Sequence, residues 1–375
     1  MSIHQLHNIK TKQFTFAFPP NELILESGKK LGPITIAYET YGKLNKEKTN
    51  AILVTHALSG DAHASGSHEE DGIVGWWDKL IGPEKFIDTN KFFVICSNIL
   101  GGCRGSTGPA SINPNTKKEY ATDFPIISIG DIVNVQKELV GHLNINKLLS
   151  VIGGSMGGMQ VLQWMITYPE KIKSAIPIAT TMKHTPQQIA FNEVGRQAII
   201  SDPNWKKGRY YGSKIPAKGL ALARMIGHIT YMSDDSMKIK FGRRFKLNKE
   251  NYKFGAEFEV EEYLHYRGDS FVKRFDPNSY LYITKAMDYF NIVNGKRLGS
   301  IFKGLKAKVL VISFKSDWLY PSQQSQKIVK ACKLAWVKTT YCNISSNYGH
   351  DAFLLEVKEE GQIIKHFLNS VLSKD

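Results

Sequence analysis

A chain of 375 residues with 42% hydrophobic residues is long enough to bury an ample core, and no apolar run approaches the roughly 18 residues of a membrane span. Its 49 lysines and arginines against 34 acidic residues leave +15 at pH 7. The lysines are nevertheless spread from Lys10 to Lys374, without a basic block or an aromatic-basic repeat, which argues against nucleic acid or a membrane surface as partner and leaves mild steering of a polyanionic substrate. The opening MSIHQLHNIKTKQF has neither an apolar stretch nor a small-residue cleavage site, so a cytoplasmic protein is expected. Cys96, Cys103, Cys332 and Cys342 show no metal-ligand or redox spacing, so reduced cysteines and no metal are expected.

In chain order, the segment from Lys30 to Thr49 reads as an antiparallel opening. Short apolar runs then recur before glycine or polar loops: AILVTHA from Ala51, KFFVICS from Lys91, KLLSVIG from Lys147, KSAIPIA from Lys173 and KVLVISF from Lys308. A helix pattern over Ile129 to Leu143 puts Ile132, Val135, Leu139 and Val140 on one face. This alternation predicts an α/β fold with a mostly parallel central sheet flanked by helices. From 181 to 299 strand-like runs give way to helix patterns over Gln187 to Ile200, Gly219 to Thr230 and Tyr280 to Phe290. We read that stretch as an inserted helical lid between core segments 1–180 and 300–375, because it is too long for a plain loop.

Chemistry centres on LLSVIGGSMGGMQ, where one serine sits between Gly153–Gly154 and Gly157–Gly158, after an apolar run and before a helix pattern. That is a nucleophile elbow: a sharp strand-to-helix corner exposes Ser155, and only glycine tolerates the close approach of neighbouring backbone. A phosphate loop would need Lys followed by Ser or Thr after the last glycine, and Met159 and Gln160 stand there instead. A serine hydroxyl needs a base, and the base an orienting carboxylate, in the chain order serine, acid, histidine. Asp317, just past the apolar run VLVISF, is the candidate acid. His350 in SSNYGHDAF follows a glycine in a loop and is the candidate base, whereas His366 lies on an amphipathic terminal helix. For an oxyanion hole, the backbone N–H groups of Met156 and of Leu58, in the loop VTHALSGDAHASG, are the candidates.

With these located, AYETYG, HALSGDAH, GWWDKLIGP, GGSMGGMQ, AFNEVGRQAI, LARMIGHITYMSDD, SDWLYP and YGHDAF follow one another across nearly the whole chain. In this the sequence resembles the homoserine O-acyltransferase family of the α/β-hydrolase superfamily, most closely its acetyl-transferring members. The resemblance implies an α/β-hydrolase fold, no bound cofactor, acetyl-CoA as co-substrate, L-homoserine as acceptor, and an acyl-serine intermediate on Ser155. It also matches Arg224, Tyr231 and Asp351 to substrate-binding positions, and implies a homodimer through the lid helices. A guanidinium and a carboxylate suit the charges of an amino-acid acceptor. The loop from Ser97 to Pro109 is expected to line the same cleft, with Arg104 facing donor phosphates, the extra carboxylate of a succinyl donor, or solvent. Succinyl-CoA in place of acetyl-CoA, serine in place of homoserine, and water as acceptor are the alternatives.

Overall fold

The computed structural model describes residues 6–68, 72–247, 250 and 252–373. Eight strands form one sheet: β1 (Lys12–Phe16), β2 (Ile34–Tyr41), β3 (Ala51–Thr55), β4 (Phe93–Ser97), β5 (Ser150–Gly154), β6 (Ser174–Ile178), β7 (Lys308–Phe314) and β8 (Thr339–Ile344). Their spatial order is β1-β2-β4-β3-β5-β6-β7-β8. The pairs β1–β2 and β2–β4 are antiparallel and the others parallel. The apolar runs from Ala51, Lys91, Lys147, Lys173 and Lys308 coincide with β3, β4, β5, β6 and β7. The edge strand β1 has no counterpart among the sequence expectations, because KQFTF is polar at alternate positions and only half-buried.

Alternation along the strands splits the core into two layers. Leu53, Ile95, Val151, Ala175, Val309 and Val311 face one cluster, shared with Ile132, Val135 and Leu139 of α1 (Ile129–His142) and with Met159 and Leu162 of α2 (Met156–Thr167). Ile52, Val54, Val94, Ile152, Ile176, Leu310 and Ile312 face the other, with Trp77. Between β6 and β7 lie α3 (Pro186–Ile200), α4 (Ala217–Tyr231), α5 (Asp234–Lys240), α6 (Glu259–Val272) and α7 (Pro277–Tyr289). After β7 come α8 (Ser322–Leu334), the short α9 (Ala352–Leu355) and α10 (Val357–Leu372). Ile364, Leu368 and Val371 of α10 cover the second layer, each burial contributing roughly 1.5–3 kcal/mol.

Local chemistry sets the helix starts. Ser128 and Asp131 form a reciprocal capping box on α1, and Thr185 and Gln188 another on α3, where Pro186 takes the first position. Helix α4 packs closely on both neighbours because glycine lets backbones meet: a Cβ on Gly219 would lie 2.4 Å from the Ala198 carbonyl oxygen, and one on Gly268 of α6 3.0 Å from the Ala221 Cβ. Helices α5 and α6 escape the periodicity reading. Among the residues of α6 only Gly268 and Phe271 are buried, so it carries no apolar stripe to detect.

The buried carboxylate of Glu39 on β2 ties the N-terminal segment to the loop after β3. It accepts hydrogen bonds from Thr11 (2.8 Å) and Tyr41 (2.7 Å), and meets His63 Nδ1 at 2.9 Å and His68 Nε2 at 2.8 Å. The three ligand-type atoms of Glu39, His63 and His68 lie within 4.8 Å of one another, a clustering that no sequence spacing announced. Burial alone would raise the Glu39 carboxyl, but the bonds from His63, His68 and Tyr41 prevail and hold it at about 2, against an ordinary 4.5. Burial pulls His63 down, and the Glu39 bond and charge more than offset it, so His63 is raised. A depressed carboxyl stabilises the fold above its unfolded pKa, and that contribution fades as pH falls from about 4.5 towards 2. The raised His63 contributes below its ordinary 6.5 and is lost as pH rises through its folded value. Glu39→Gln is therefore expected to lower the Tm at neutral pH and to flatten its decline between about pH 4.5 and 2; an acid limb as steep as in the parent would contradict this role.

Candidate active site

Ser155 stands at the corner between β5 and α2 with φ 59° and ψ −123°, a left-handed backbone that is strained for any residue bearing a Cβ. Two hydrogen bonds clamp it: its N–H donates to the Ile178 carbonyl at 3.0 Å, and the Thr180 hydroxyl donates to its carbonyl at 2.8 Å. The flanking glycines are sterically required. A Cβ on Gly153 would sit 2.1 Å from Thr55 Oγ1, one on Gly157 2.1 Å from the Thr55 carbonyl oxygen, and one on Gly154 2.4 Å from the Phe353 ring.

His350 and Asp317, 195 and 33 residues distant along the chain from Ser155 and His350 respectively, complete a continuous hydrogen-bonded chain. His350 Nε2 lies 2.8 Å from Ser155 Oγ, and His350 Nδ1 lies 2.8 Å from Asp317 Oδ2. The other Asp317 oxygen accepts the Tyr320 N–H at 2.8 Å, which fixes the carboxylate. A carboxylate can only accept, so Nδ1 carries the imidazole proton and Nε2 is left to receive the serine proton. All three side chains are buried: Ser155 is 7%, His350 2% and Asp317 3% exposed, which strengthens their mutual electrostatics.

Met156 opens α2, where the first N–H groups have no intrahelical acceptor and the helix dipole favours negative charge. Leu58, in the loop after β3, lines the same space as Ser155. That loop is braced by His56, whose Nδ1 faces the Ala57 carbonyl at 2.8 Å and whose Nε2 accepts the Ile99 N–H at 3.2 Å. Burial depresses His56, in keeping with a neutral brace.

A cavity of about 920 Å³ opens onto Ser155 and His350 and is lined also by Arg224, Tyr231 and Asp351. Arg224 and Tyr231 both lie on α4, two helical turns apart, with the guanidinium 5.6 Å from the Tyr231 ring centre and 4.7 Å from that of Phe271. Arg224 also donates to Ser59 Oγ at 3.1 Å, and Arg274 donates to the Ser59 carbonyl at 2.9 Å, so the loop after β3 is tied to the helices. Burial raises the Asp351 carboxyl, opposed by the charges of His350, Arg224 and Arg267.

The loop from Ser97 to Pro109 does not line this cavity, contrary to expectation. It folds back onto β2 instead: Ser106 Oγ accepts the Ala37 N–H, Thr107 Oγ1 accepts the Thr35 N–H, and Ser106 donates to the Asn98 carbonyl. Arg104 on that loop is 43% exposed and lies 3.8 Å from Asp61. Sequence reasoning also missed a buried network beside the serine. His184 Nε2 meets the Tyr320 hydroxyl at 2.8 Å, and Asp288 meets both His184 (3.3 Å) and Arg196 (2.7 Å). Tyr320 adjoins Asp317 in SDWLYP, which was its only sequence signal; His184 and Asp288 had none, since they meet only through the return of α7.

A family model described as alpha/beta hydrolase fold matches residues 50–357. A curated homoserine O-acetyltransferase of Methanohalobium evestigatum is 58% identical over all of this chain and 76% of its own length. The chain belongs to the homoserine O-acetyltransferase family of α/β-hydrolase-fold proteins. A crystal structure of homoserine O-acetyltransferase from Bacillus anthracis superposes with a TM-score of 0.90 at 32% identity, covering 97% of this chain and 98% of that one. Members of the wider fold family with other chemistry are also near: esterase E22 superposes with a TM-score of 0.86 at 31% identity, over 96% of this chain and all of its own. What divides the acyltransferase family from esterases is the acceptor that meets the acyl group, which turns attention to the cavity walls.

Proposed function

We infer that this protein transfers the acetyl group of acetyl-CoA to the hydroxyl of L-homoserine, giving O-acetyl-L-homoserine and CoA. The observation that carries the reading is that one cavity holds both the Ser155–His350–Asp317 chain and, beside it, a guanidinium and a carboxylate, Arg224 and Asp351. In the first step Ser155 Oγ attacks the thioester carbonyl while His350 Nε2 takes the hydroxyl proton. Leu58 and Met156 N–H groups stabilise the oxyanion, each worth about 3 kcal/mol by comparison with measured donors. The carbon–sulfur bond then breaks, the thiolate leaves with the proton from His350, and an acetyl-serine remains. In the second step His350 takes the homoserine hydroxyl proton, the alkoxide attacks the acetyl-serine, and the proton returns to Ser155 as the ester bond to it breaks. Asp317 holds the imidazole and offsets its transient charge.

Arg224 receives the acceptor carboxylate and Asp351 its ammonium, with Tyr231 packing beside them. The raised Asp351 carboxyl takes up a proton at a higher pH than an ordinary one, so acceptor binding weakens earlier on acidification. Asp351→Asn is expected to raise the KM for homoserine about tenfold or more and to remove that pH dependence, since a charge-assisted bond is worth about 1.5–3 kcal/mol; an unchanged homoserine KM would remove Asp351 from the acceptor site.

The helices between residues 181 and 299 act in this reading as a lid that carries the acceptor site, and their outer face as a homodimer surface. Leu222 and Ile229 of α4, two turns apart, are 49% and 43% exposed. Light scattering should give the dimer mass, and Leu222→Asp with Ile229→Asp the monomer; a parent monomer would exclude the dimer. Among the described residues no helix is long and apolar enough to cross a membrane, and acetyl-CoA as donor supports a reaction in the cytoplasm.

Release of free CoA thiol tests the reading, measured from acetyl-CoA and from succinyl-CoA, each with L-homoserine, L-serine or no acceptor, and with Ser155→Ala as blank. Homoserine-dependent release from acetyl-CoA is the expected result. Acceptor-independent turnover would mean a hydrolase, as the likeness to esterase E22 allows, and release from succinyl-CoA alone would change the donor.

A further inference from the structure

Three cationic side chains line the cavity, and they descend from solvent towards the serine. Lys240 at the end of α5 and Arg267 on α6 are exposed, whereas Arg224 on α4 is half-buried and Ser155 is buried. Lys240 and Arg267 flank the same ring: Lys240 Nζ lies 4.2 Å and the Arg267 guanidinium 5.1 Å from the centre of Tyr263. Among the described residues neither has a salt bridge. The lining carboxylates are Asp351 and Glu356. The Tyr263 ring attracts both charges, but without an ion-pair partner they also repel each other, and an anion arriving between them relieves that repulsion.

A second feature of the same wall points to a ligand. His228 lines the cavity, is 4% exposed, and its Nε2 has no hydrogen-bond partner, although its Nδ1 meets the Tyr263 hydroxyl at 3.2 Å. A buried ring nitrogen left unpaired costs free energy unless a ligand completes it. Burial, followed by the charges of Arg224, Arg267, Lys240 and Arg274, pushes His228 down to about 3, which registers the positive potential of this wall and keeps the imidazole neutral. Burial and Arg267 likewise depress Lys240.

We propose that Lys240 and Arg267, carried on the Tyr263 platform at the mouth of the cavity, form the site for the phosphate groups of a nucleotide thioester donor, with His228 Nε2 completing a hydrogen bond to the arm that runs inward to Ser155. The inference rests on the acetyl-CoA reading and adds where that donor is held. It also gives the excess positive charge of the chain a local use, since a cationic mouth over a low-dielectric cavity attracts a polyanionic donor.

The test compares acetyl-CoA with S-acetyl-pantetheine, which presents the same thioester without phosphates. In the double variant Lys240→Gln, Arg267→Gln, the KM for acetyl-CoA is expected to rise about tenfold, while that for S-acetyl-pantetheine changes less than about twofold. Added salt should raise the acetyl-CoA KM of the parent and not of the variant. Lys238→Gln removes one charge from the same helix outside the cavity lining, where Lys238 pairs with Asp234, and should leave the acetyl-CoA KM as in the parent. Equal losses with both donors, or none with acetyl-CoA, would overturn the site. Calorimetric binding of CoA and of pantetheine to the Ser155→Ala protein, with and without the double substitution, reads the site without turnover. Phosphate-dependent binding lost in the variant supports it even if transfer to homoserine fails, and phosphate-independent binding overturns it even if transfer succeeds.

Discussion

Ser155→Ala is expected to lower kcat for thiol release from acetyl-CoA by about 10⁴–10⁶-fold, and His350→Ala to match it, because the two side chains act as one device. In the proposed mechanism the hydroxyl loses its proton across their 2.8 Å contact, to an imidazole held by Asp317. The double variant should therefore be no slower than either single one. Additive losses would mean that serine and histidine work in separate steps, and a Ser155→Ala protein within tenfold of the parent would remove the acyl-serine altogether. Folding must be checked alongside, and here the geometry is favourable: alanine at 155 keeps the Cβ that the corner already accommodates, and loses only an oxygen bonded to His350. Burst kinetics separate the two half-reactions, since the parent should release one equivalent of CoA rapidly without acceptor and then slow.

Gly157→Ala is expected to cost about 3 kcal/mol of stability, read from the denaturation midpoint, or to give no soluble protein. The added Cβ would lie 2.1 Å from the Thr55 carbonyl oxygen and 3.3 Å from that of His56, both backbone atoms that no rotamer can move. Relief requires α2 to retreat from β3. That movement would also break the bonds from Thr55 Oγ1 to the Gly157 carbonyl (2.9 Å) and from Gln160 to the His56 carbonyl (3.1 Å), so the loop after β3 would shift with it. Activity should fall in any fraction that folds. Gly141→Ala in the last turn of α1 is the control: a Cβ there meets nothing within 4 Å, and alanine in place of glycine should be neutral or gain up to about 1 kcal/mol. Equal midpoints for the two variants would mean that the packing at the elbow is not what requires glycine.

Much of this molecule is legible in its amino-acid sequence. Buried parallel strands are short, apolar and bounded by turns, so β3 to β7 announced themselves, and glycines around a serine marked a corner where the chain could not bear side chains. Periodicity located α1, α3, α4 and α7 to within about three residues; α1 and α7 carry apolar stripes that are covered, whereas α3 buries Gln188 and Arg196 beside Ile199. β1, α5 and α6 lack an apolar stripe and were missed; α8 was missed too, although Ile328, Val329 and Cys332 give it a buried face. The sequence by itself determined the α/β class, the elbow and the order in which an acid and a histidine follow the serine, because those are properties of local pattern and chain order. Only the tertiary structure decided which distant side chains meet. It withdrew Arg104 to Asp61 by bonding the Ser97–Pro109 loop onto β2, joined His184 and Asp288 to Tyr320 beside the serine, and set Lys240 and Arg267 across one tyrosine ring. Such encounters depend on how helices are stacked over the sheet edge, and helix stacking is fixed by packing between residues far apart in the chain, which no local spacing encodes.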